Sequence, residues 1–180
     1  MMRFFERIWG LLKLIDLYFT RRRYEGYAAQ FFERRGDCYW GIGWKAGAAL
    51  DYHSAMKELD NQGSAGLHAK LGGVYTELWM YDKALRHYRI AYKKNKWPAI
   101  GIGLAQALYN TGHMDGFMGL VARLQSVESK IPRGLQKEFE RLILLRWTII
   151  GQMPEDNASY YLAQTLTWMA IGKSQASAQK

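Results

Sequence analysis

Few residues of the chain have the types and the spacing that catalysis or metal binding requires. The four histidines, at positions 53, 68, 87 and 113, show no H-x-x-x-H spacing and no C-x-x-C pair exists, so the sequence indicates no metal site. The single cysteine, Cys38, has no histidine within a helical turn, which favours a buried structural thiol. No pair of carboxylates stands out among the acidic residues. We therefore expect a protein that is not an enzyme and that holds neither a metal nor a cofactor.

Two glycine-rich stretches have the composition of nucleotide-binding loops but not their spacing. The stretch GIGWKAG at 41–47 spaces its glycines as G-x-G-x-x-x-G, one residue too long for the dinucleotide fingerprint, and no strand precedes it. The stretch GIG at 101–103 is shorter still. Packing between helices and turn flexibility explain both, so we expect no nucleotide site.

The composition predicts a basic, all-helical protein. The 180 residues suggest one domain with a sizeable core, and 49% hydrophobic residues with only three prolines and no alternating Val/Ile runs favour helices over sheet. The net charge of +9 favours an acidic partner such as nucleic acid, anionic lipid or an acidic peptide, although a solvated basic surface is the alternative. A single cysteine forms no intrachain disulfide and favours a reducing compartment, hence the cytoplasm.

A repeat of about 36 residues organises the middle of the chain. A shift of 36 pairs Gly36 with Gly72, Tyr39 with Tyr75, Ala48 with Ala84, Tyr52 with Tyr88 and Ala55 with Ala91. A third copy follows at a shift of 33, where Leu104-Ala105 replaces Leu71-Gly72. Two antiparallel helices that cross closely need small residues at the crossing, with aromatic residues on either side. Tertiary packing then offsets the cost of a glycine within a helix, which is about 1 kcal/mol.

These residues resemble the tetratricopeptide repeat family. The family pattern is matched by His68, Leu71, Gly72, Tyr75, Ala84, Tyr88 and Ala91, with Pro98 opening the next helix. The resemblance is strongest for 65–98 and extends to 29–64 and 98–131. His68 replaces a large aromatic residue, and Trp79 occupies the turn position where Gly43 and Gly112 stand in the other copies. The resemblance implies an all-α fold, a short α-solenoid of antiparallel helix hairpins.

The expected architecture adds helices at both ends of the solenoid. An amphipathic helix with a basic flank occupies 1–23, three hairpins occupy 24–131, a capping helix pair occupies 132–173, and a polar tail follows at 174–180. We expect the first helix at about 3–20, the hairpins at 28–59, 65–95 and 98–127, and the last helices at 133–150 and 156–171. Atypical end units of this kind cover the exposed core of a repeat stack.

The first 23 residues predict an amphipathic helix whose role stays open. One face carries Phe4, Phe5, Ile8, Leu11, Leu12, Ile15, Tyr18 and Phe19, whereas Arg3, Glu6, Gly10, Lys13 and Thr20 lie opposite. Charged residues within this stretch argue against a membrane span. It also lacks the small-residue cleavage motif of a signal peptide, so we expect none. The helix either caps the first hairpin, lies on an anionic membrane surface with Arg21, Arg22 and Arg23 at the headgroups, or docks on a partner protein.

The family resemblance implies a groove that holds a peptide or helix of another protein. The positions that face it in the family correspond to Glu33, Asp37, Trp40, Ala69, Gly73, Thr76, Ile102, Gln106 and Tyr109. The small residue Gly73 either leaves room for a partner or admits a neighbouring helix. The family's clamp for acidic C-terminal peptides needs Lys and Asn where Glu33 and Asp37 stand, so we expect no chaperone-adaptor role.

A second surface is basic and supports an alternative function. Besides Arg21–Arg23 it comprises Lys83, Arg86, Arg89, Lys93, Lys94 and Lys96. No nucleic-acid motif accompanies these residues, and the aromatic residues lie at packing positions rather than between them. The sequence therefore predicts a protein-binding scaffold or adaptor, cytoplasmic or peripheral on a membrane. The alternative is a basic helical-repeat protein that binds nucleic acid.

Overall fold

The computed structural model describes residues 2–19, 26–60 and 63–151, and all regular structure within these ranges is helical. The helices are α1 (Met2–Phe19), α2 (Ala28–Ile42), α3 (Lys45–Glu58), α4 (Ala65–Glu77), α5 (Tyr81–Lys94), α6 (Pro98–Asn110), α7 (Met114–Gln125) and α8 (Gln136–Ile150). Two 3₁₀ turns, Glu128–Lys130 and Arg133–Leu135, precede α8. The predicted helix at 156–171, the tail at 174–180 and Arg21–Arg23 lie outside the described residues.

The helices pack in sequence order as three hairpins, which confirms the predicted all-α solenoid. The hairpins are α2 with α3, α4 with α5, and α6 with α7, and they join through contacts of α3 with α4 and of α5 with α6. One helix covers each described end, because α1 packs on α2 and α8 packs on α6 and α7. A continuous hydrophobic core runs from Ala48 in α3 to Leu145 in α8.

The three hairpin turns share one backbone conformation. A residue one or two positions beyond each first helix is left-handed, with φ of +90° at Gly43, +62° at Trp79 and +77° at Gly112. The next N–H bonds to a carbonyl five residues back: Trp44 to Tyr39 at 2.8 Å, Met80 to Tyr75 at 2.9 Å, and His113 to Leu108 at 2.9 Å. This is a Schellman cap, which favours glycine at its left-handed position. Trp79 keeps the turn although a bulky residue is strained there.

Tyrosine rings of the second helices pack directly against glycines of the first helices. A Cβ added at Gly36 would lie 2.6 Å from Cε1 of Tyr52, and one added at Gly72 would lie 2.8 Å from Cδ2 of Tyr88. Gly103 of α6 meets the same Tyr88 ring, with an added Cβ 2.5 Å from Cε1. The repeating glycines therefore serve close packing between helices, as the repeat pattern predicts.

Helix α1 packs on α2 through the side that carries Gly10, and its most apolar side faces outward. Gly10 and Leu17 are buried, and a Cβ added at Gly10 would lie 2.8 Å from Cγ2 of Ile42. Ile8 and Ile15, on the opposite side of α1, are exposed. No helix among the described residues has the length and apolar content that crossing a membrane requires.

Candidate partner-binding face

The first helices of the hairpins, α2, α4 and α6, carry the nine residues that the family resemblance places in the groove. Eight of them are exposed or half-buried and define what we call the first-helix face: Glu33, Asp37, Trp40, Ala69, Gly73, Thr76, Gln106 and Tyr109. Ile102 differs, because only 6% of it is exposed and it belongs to the hydrophobic core. Its side chain therefore has no free surface to offer a partner.

Lys70 of α4 links the two carboxylates of the first-helix face. Its Nζ donates hydrogen bonds to Oε1 of Glu33 and Oδ2 of Asp37, each at 2.8 Å. The second oxygen of Asp37 accepts a 2.7 Å hydrogen bond from the hydroxyl of Tyr52. Although partial burial lowers the pKa of Lys70, its hydrogen bonds with Asp37 and Glu33 raise this pKa above the ordinary value. Two carboxylates therefore share one directly bonded lysine, while Lys13 and Arg34 line a cleft that also includes Asp37.

Trp40 of α2 fills the space above Gly73 of α4. A Cβ added at Gly73 would lie 2.6 Å from Cη2 of Trp40, so a side chain there would displace the indole ring. The indole N–H donates a 2.7 Å hydrogen bond to Oε1 of Glu77, whose other oxygen lies 3.1 Å from Nζ of Lys45. Of the two interpretations of Gly73, this contact supports the one in which it admits the neighbouring hairpin.

The residues of the first-helix face on α4 and α6 are themselves uncharged, although Lys70 and Glu77 of α4 form ion pairs beside them. The hydroxyl of Thr76 donates to the carbonyl of Gly72 at 2.9 Å, and the amide of Gln106 donates to Oδ1 of Asn110 at 3.1 Å. The half-buried ring of Tyr109 packs against Phe117 with 5.4 Å between centroids. The face therefore changes from acidic on α2 to neutral on α6.

A partly buried ion pair links α2 to α3. Nε and Nη2 of Arg35 donate to the two carboxylate oxygens of Asp51 at 2.6 and 2.7 Å, and Asp51 is buried. The hydrogen bond with Asp51 raises the pKa of Arg35, against a smaller opposing effect of burial. A bidentate pair of this kind fixes geometry, so its role is structural.

Three histidines that are distant in sequence meet where the first two hairpins join. His53 of α3, His68 of α4 and His87 of α5 form a cluster in which the ring centroids are 5.9 Å apart for His53 and His87 and 5.3 Å apart for His68 and His87. Nδ1 of His68 lies 3.1 Å from Nδ1 of His87, and Nε2 of His53 lies 2.5 Å from the hydroxyl of Tyr75. Sequence spacing gave no signal for this cluster, because each member comes from a different helix.

The environment of this cluster favours neutral imidazoles. Burial lowers the pKa of all three histidines, and burial together with the neighbouring His68 and His53 lowers that of His87 to about 4. Cations on α5 contribute further: Lys83 acts on His53, Lys94 on His68 and Arg86 on His87. Within the described ranges, no group of three or more His, Cys, Asp or Glu side chains is arranged to hold a metal ion. His68 is buried and His87 is half-buried, whereas His53 is exposed, so the neutral form is favoured most strongly at His87.

Cys38 is buried on α2 beside α1, as its sequence context predicts. Burial, and then the charge of Asp37, raise the pKa of its thiol, which keeps it protonated and unreactive near neutral pH. A cleft of about 430 Å³ lies beside it between α1 and α2, with Lys13, Asp16 and Arg34 among its lining residues. The mixed charges of this lining indicate no single class of ligand.

The basic surface on and just after α5 is exposed. Its members are Lys83, Arg86, Arg89, Lys93, Lys94 and Lys96. None of them forms an ion pair with an acidic residue in the described part of the chain. The Nζ of Lys83 lies 5.5 Å from the ring centroid of Tyr75, a cation–π distance. This surface is free to attract anions, and it lies on a second helix rather than on the first-helix face.

Solved structures that share this architecture include two of MamA, a protein with tetratricopeptide repeats. One gives a TM-score of 0.62 at 16% sequence identity and covers 91% of this chain and 90% of that chain. Another, of MamA from AMB-1, gives 0.61 at 15% identity, with 90% and 88% covered. Comparison with protein-family models gives no match, and neither does comparison with curated proteins. The likeness to MamA shows that this chain has a helical-repeat fold of the same kind.

Proposed function

We propose that this chain is a tetratricopeptide-like scaffold that binds a segment of another protein on its first-helix face. The observation that carries the proposal is the change of that face from acidic on α2 to neutral on α6, across three stacked first helices. Helical-repeat proteins use such extended surfaces for peptide or helix recognition. The absence of any catalytic constellation in the sequence supports a binding role without chemistry.

The charges of the face indicate how charge would be distributed along a partner segment. Glu33 and Asp37 share one cation, Lys70, so a partner that brings a lysine or arginine to α2 would balance the remaining negative charge. Ala69, Thr76, Gln106 and Tyr109 offer small, amide and aromatic surface, which suits an uncharged stretch of the same segment. We therefore propose a partner segment that is basic at one end and neutral along the rest.

Affinity purification of the full chain from nuclease-treated lysate, with mass spectrometry of the captured proteins, tests this proposal. We expect wild type to retain a protein that the Ala69→Arg variant loses, because a long cation on α4 would block the neutral part of the face. Ala122→Arg, at an exposed position of α7, is the matched control and should retain it. Equal capture by both variants would contradict binding on the first-helix face.

The alternative function is nucleic-acid binding by the basic surface of α5. It is favoured by six exposed cations that have no acidic partner among the described residues. Titration of duplex DNA and single-stranded RNA at several salt concentrations tests it. Sub-micromolar affinity with a steep salt dependence, lost in a Lys83→Glu, Arg86→Glu double variant, would support this function over the scaffold.

We also propose that the scaffold works in the cytoplasm at a membrane surface. A chain with one cysteine and no disulfide suits a reducing compartment. The outward apolar face of α1 supports membrane contact, because such a face is costly to leave in water. Cell fractionation tests the location: we expect the protein with the membranes at low salt, and a protein wholly in the supernatant would contradict membrane contact.

A further inference from the structure

Helix α1 is oriented opposite to an ordinary surface helix of a soluble domain. Its side towards α2 carries the buried residues Gly10 and Leu17, whereas its most apolar arc faces outward. The exposed fractions along this outward arc are 39% for Ile8, 48% for Leu11, 52% for Leu12 and 54% for Ile15. At 100° per residue these four side chains span an arc of about 100°, the width of a complete apolar stripe.

The margins of this stripe carry the residues that an interface between water and lipid favours. Trp9 follows Leu12 around the helix and is 62% exposed, whereas Tyr18 follows Leu11 on the other side and is 75% exposed. The ammonium group of Lys13 lies 5.7 Å from the Trp9 ring centroid, at the boundary towards α2. Tryptophan and tyrosine prefer this position because each has an apolar body and a polar group.

We propose that α1 lies in the surface of an anionic membrane and inserts the stripe of Ile8, Leu11, Leu12 and Ile15, while its opposite side holds the solenoid. This inference rests on the proposed membrane location and identifies the face and the lipid class. The packing of Gly10 against Ile42 lets α1 remain docked on α2 while the stripe enters the bilayer. No rearrangement of the first hairpin is then needed for binding.

Charge favours anionic lipid over a second copy of the chain or another protein as the occupant. The sequence continues from α1 into three consecutive arginines, and the whole chain carries a net charge of +9. Two copies of the chain would each carry this positive net charge, which opposes their association. An anionic membrane attracts a chain of this net charge, whereas a neutral one does not.

Sedimentation of the full chain with vesicles tests this inference. The vesicles are pure phosphatidylcholine in one arm and an equimolar mixture of phosphatidylcholine and phosphatidylserine in the other. The stripe variant is Leu12→Glu, Ile15→Glu. The matched control is Leu50→Glu, Ile90→Glu, which makes the same change of type and net charge at exposed positions of α3 and α5.

We expect wild type and the control variant to bind the mixed vesicles and the stripe variant to bind about tenfold or more weakly, with pure phosphatidylcholine bound less well by all three. Unchanged circular dichroism and melting would show that both variants fold. Equal binding by the two variants, or no binding by wild type, would overturn the inference. A wild-type dimer in light scattering that the stripe variant abolishes, without vesicle binding, would assign the stripe to a second copy. Partner capture on the first-helix face is measured separately, so either proposal can fail alone.

Discussion

At the scale of single residues, the ring of Tyr88 shows how glycines set the distance between helices. Gly72 of α4 and Gly103 of α6 both contact this ring, so one tyrosine of α5 is held between two hairpins. Tyr88 is largely enclosed, and burial raises the pKa of its hydroxyl to about 12. The space that a side chain would occupy at each glycine is therefore filled by an aromatic ring from the neighbouring helix.

The substitution Gly72→Leu should lower the free energy of unfolding by about 1–3 kcal/mol or more, because a leucine cannot fit beside the Tyr88 ring without separating α4 from α5. Urea denaturation measures the effect. Gly119→Leu is the control, since a Cβ at that exposed position on α7 would meet no atom within 4 Å. An unchanged midpoint for Gly72→Leu would contradict the assigned packing of this hairpin.

Replacing Trp79 with glycine should instead raise the free energy of unfolding. It adopts φ of +62° at a position that glycine occupies in the other two turns, and the left-handed conformation costs a bulky residue about 1–2 kcal/mol. Trp79→Gly relieves this strain but loses an edge contact with Tyr81, whose ring centroid is 5.9 Å away. Because the two effects oppose each other, we expect a net stabilisation of about 1 kcal/mol or less. Thermal unfolding checks this, and a clearly lower melting temperature would show that the ring contact outweighs the backbone strain.

At the scale of helices, the histidine cluster makes the junction of α3, α4 and α5 sensitive to acid. The pKa of each histidine is lower in the folded chain than the ordinary value of 6.5, so below pH 6.5 the unfolded chain binds more protons. The stability of the junction is therefore complete above pH 6.5 and is lost progressively towards pH 4. The melting temperature should therefore fall as the pH is lowered from 6.5 to 4.

The variant His87→Gln isolates the contribution of this cluster to the pH dependence. It removes the central ring, whose folded-state pKa is about 4, so we expect a shallower fall in melting temperature between pH 6.5 and 4 than in wild type. His113→Gln, at an exposed turn position, is the control and should keep most of the wild-type slope. Identical slopes for wild type and His87→Gln would contradict burial of neutral rings at the junction.

Which helices form could be predicted from the sequence, but which faces they bury could not always be. The Gly36–Tyr52 and Gly72–Tyr88 pairs recur with the repeat, so the hairpins follow from spacing alone. For α1 the amphipathic pattern predicts a helix correctly, whereas the rule that apolar faces turn inward would have buried Ile8 and Ile15. The tertiary contact made by Gly10 decides its orientation, and no local pattern reports that contact.

The candidate site was predictable as a surface but not in its contacts. The family positions on α2, α4 and α6 lie at the surface except Ile102, which the core takes up. Lys70 was missed because its partners Glu33 and Asp37 are one repeat away, where no helical periodicity connects them. The pairing of residues between hairpins depends on how the repeats stack, and stacking is a property of the whole solenoid.

At the scale of the whole molecule, the two proposed binding surfaces lie on different helices of the solenoid. The first-helix face spans α2, α4 and α6, whereas the outward stripe lies on α1 at the end of the array. Because α1 contacts α2 through its opposite side, both surfaces are accessible in the same conformation. A scaffold held at a membrane by α1 could therefore present its groove to a partner without a conformational change.

Titration calorimetry of the captured partner segment gives its dissociation constant for wild type and for each variant. We predict that Ala69→Arg weakens binding by about tenfold or more, since a cation on α4 both fills the neutral surface and repels a basic segment. Ala122→Arg should leave the constant unchanged. Unaltered affinity in Ala69→Arg, or a loss confined to Ala122→Arg, would contradict the claim that this protein binds its partner on the first-helix face.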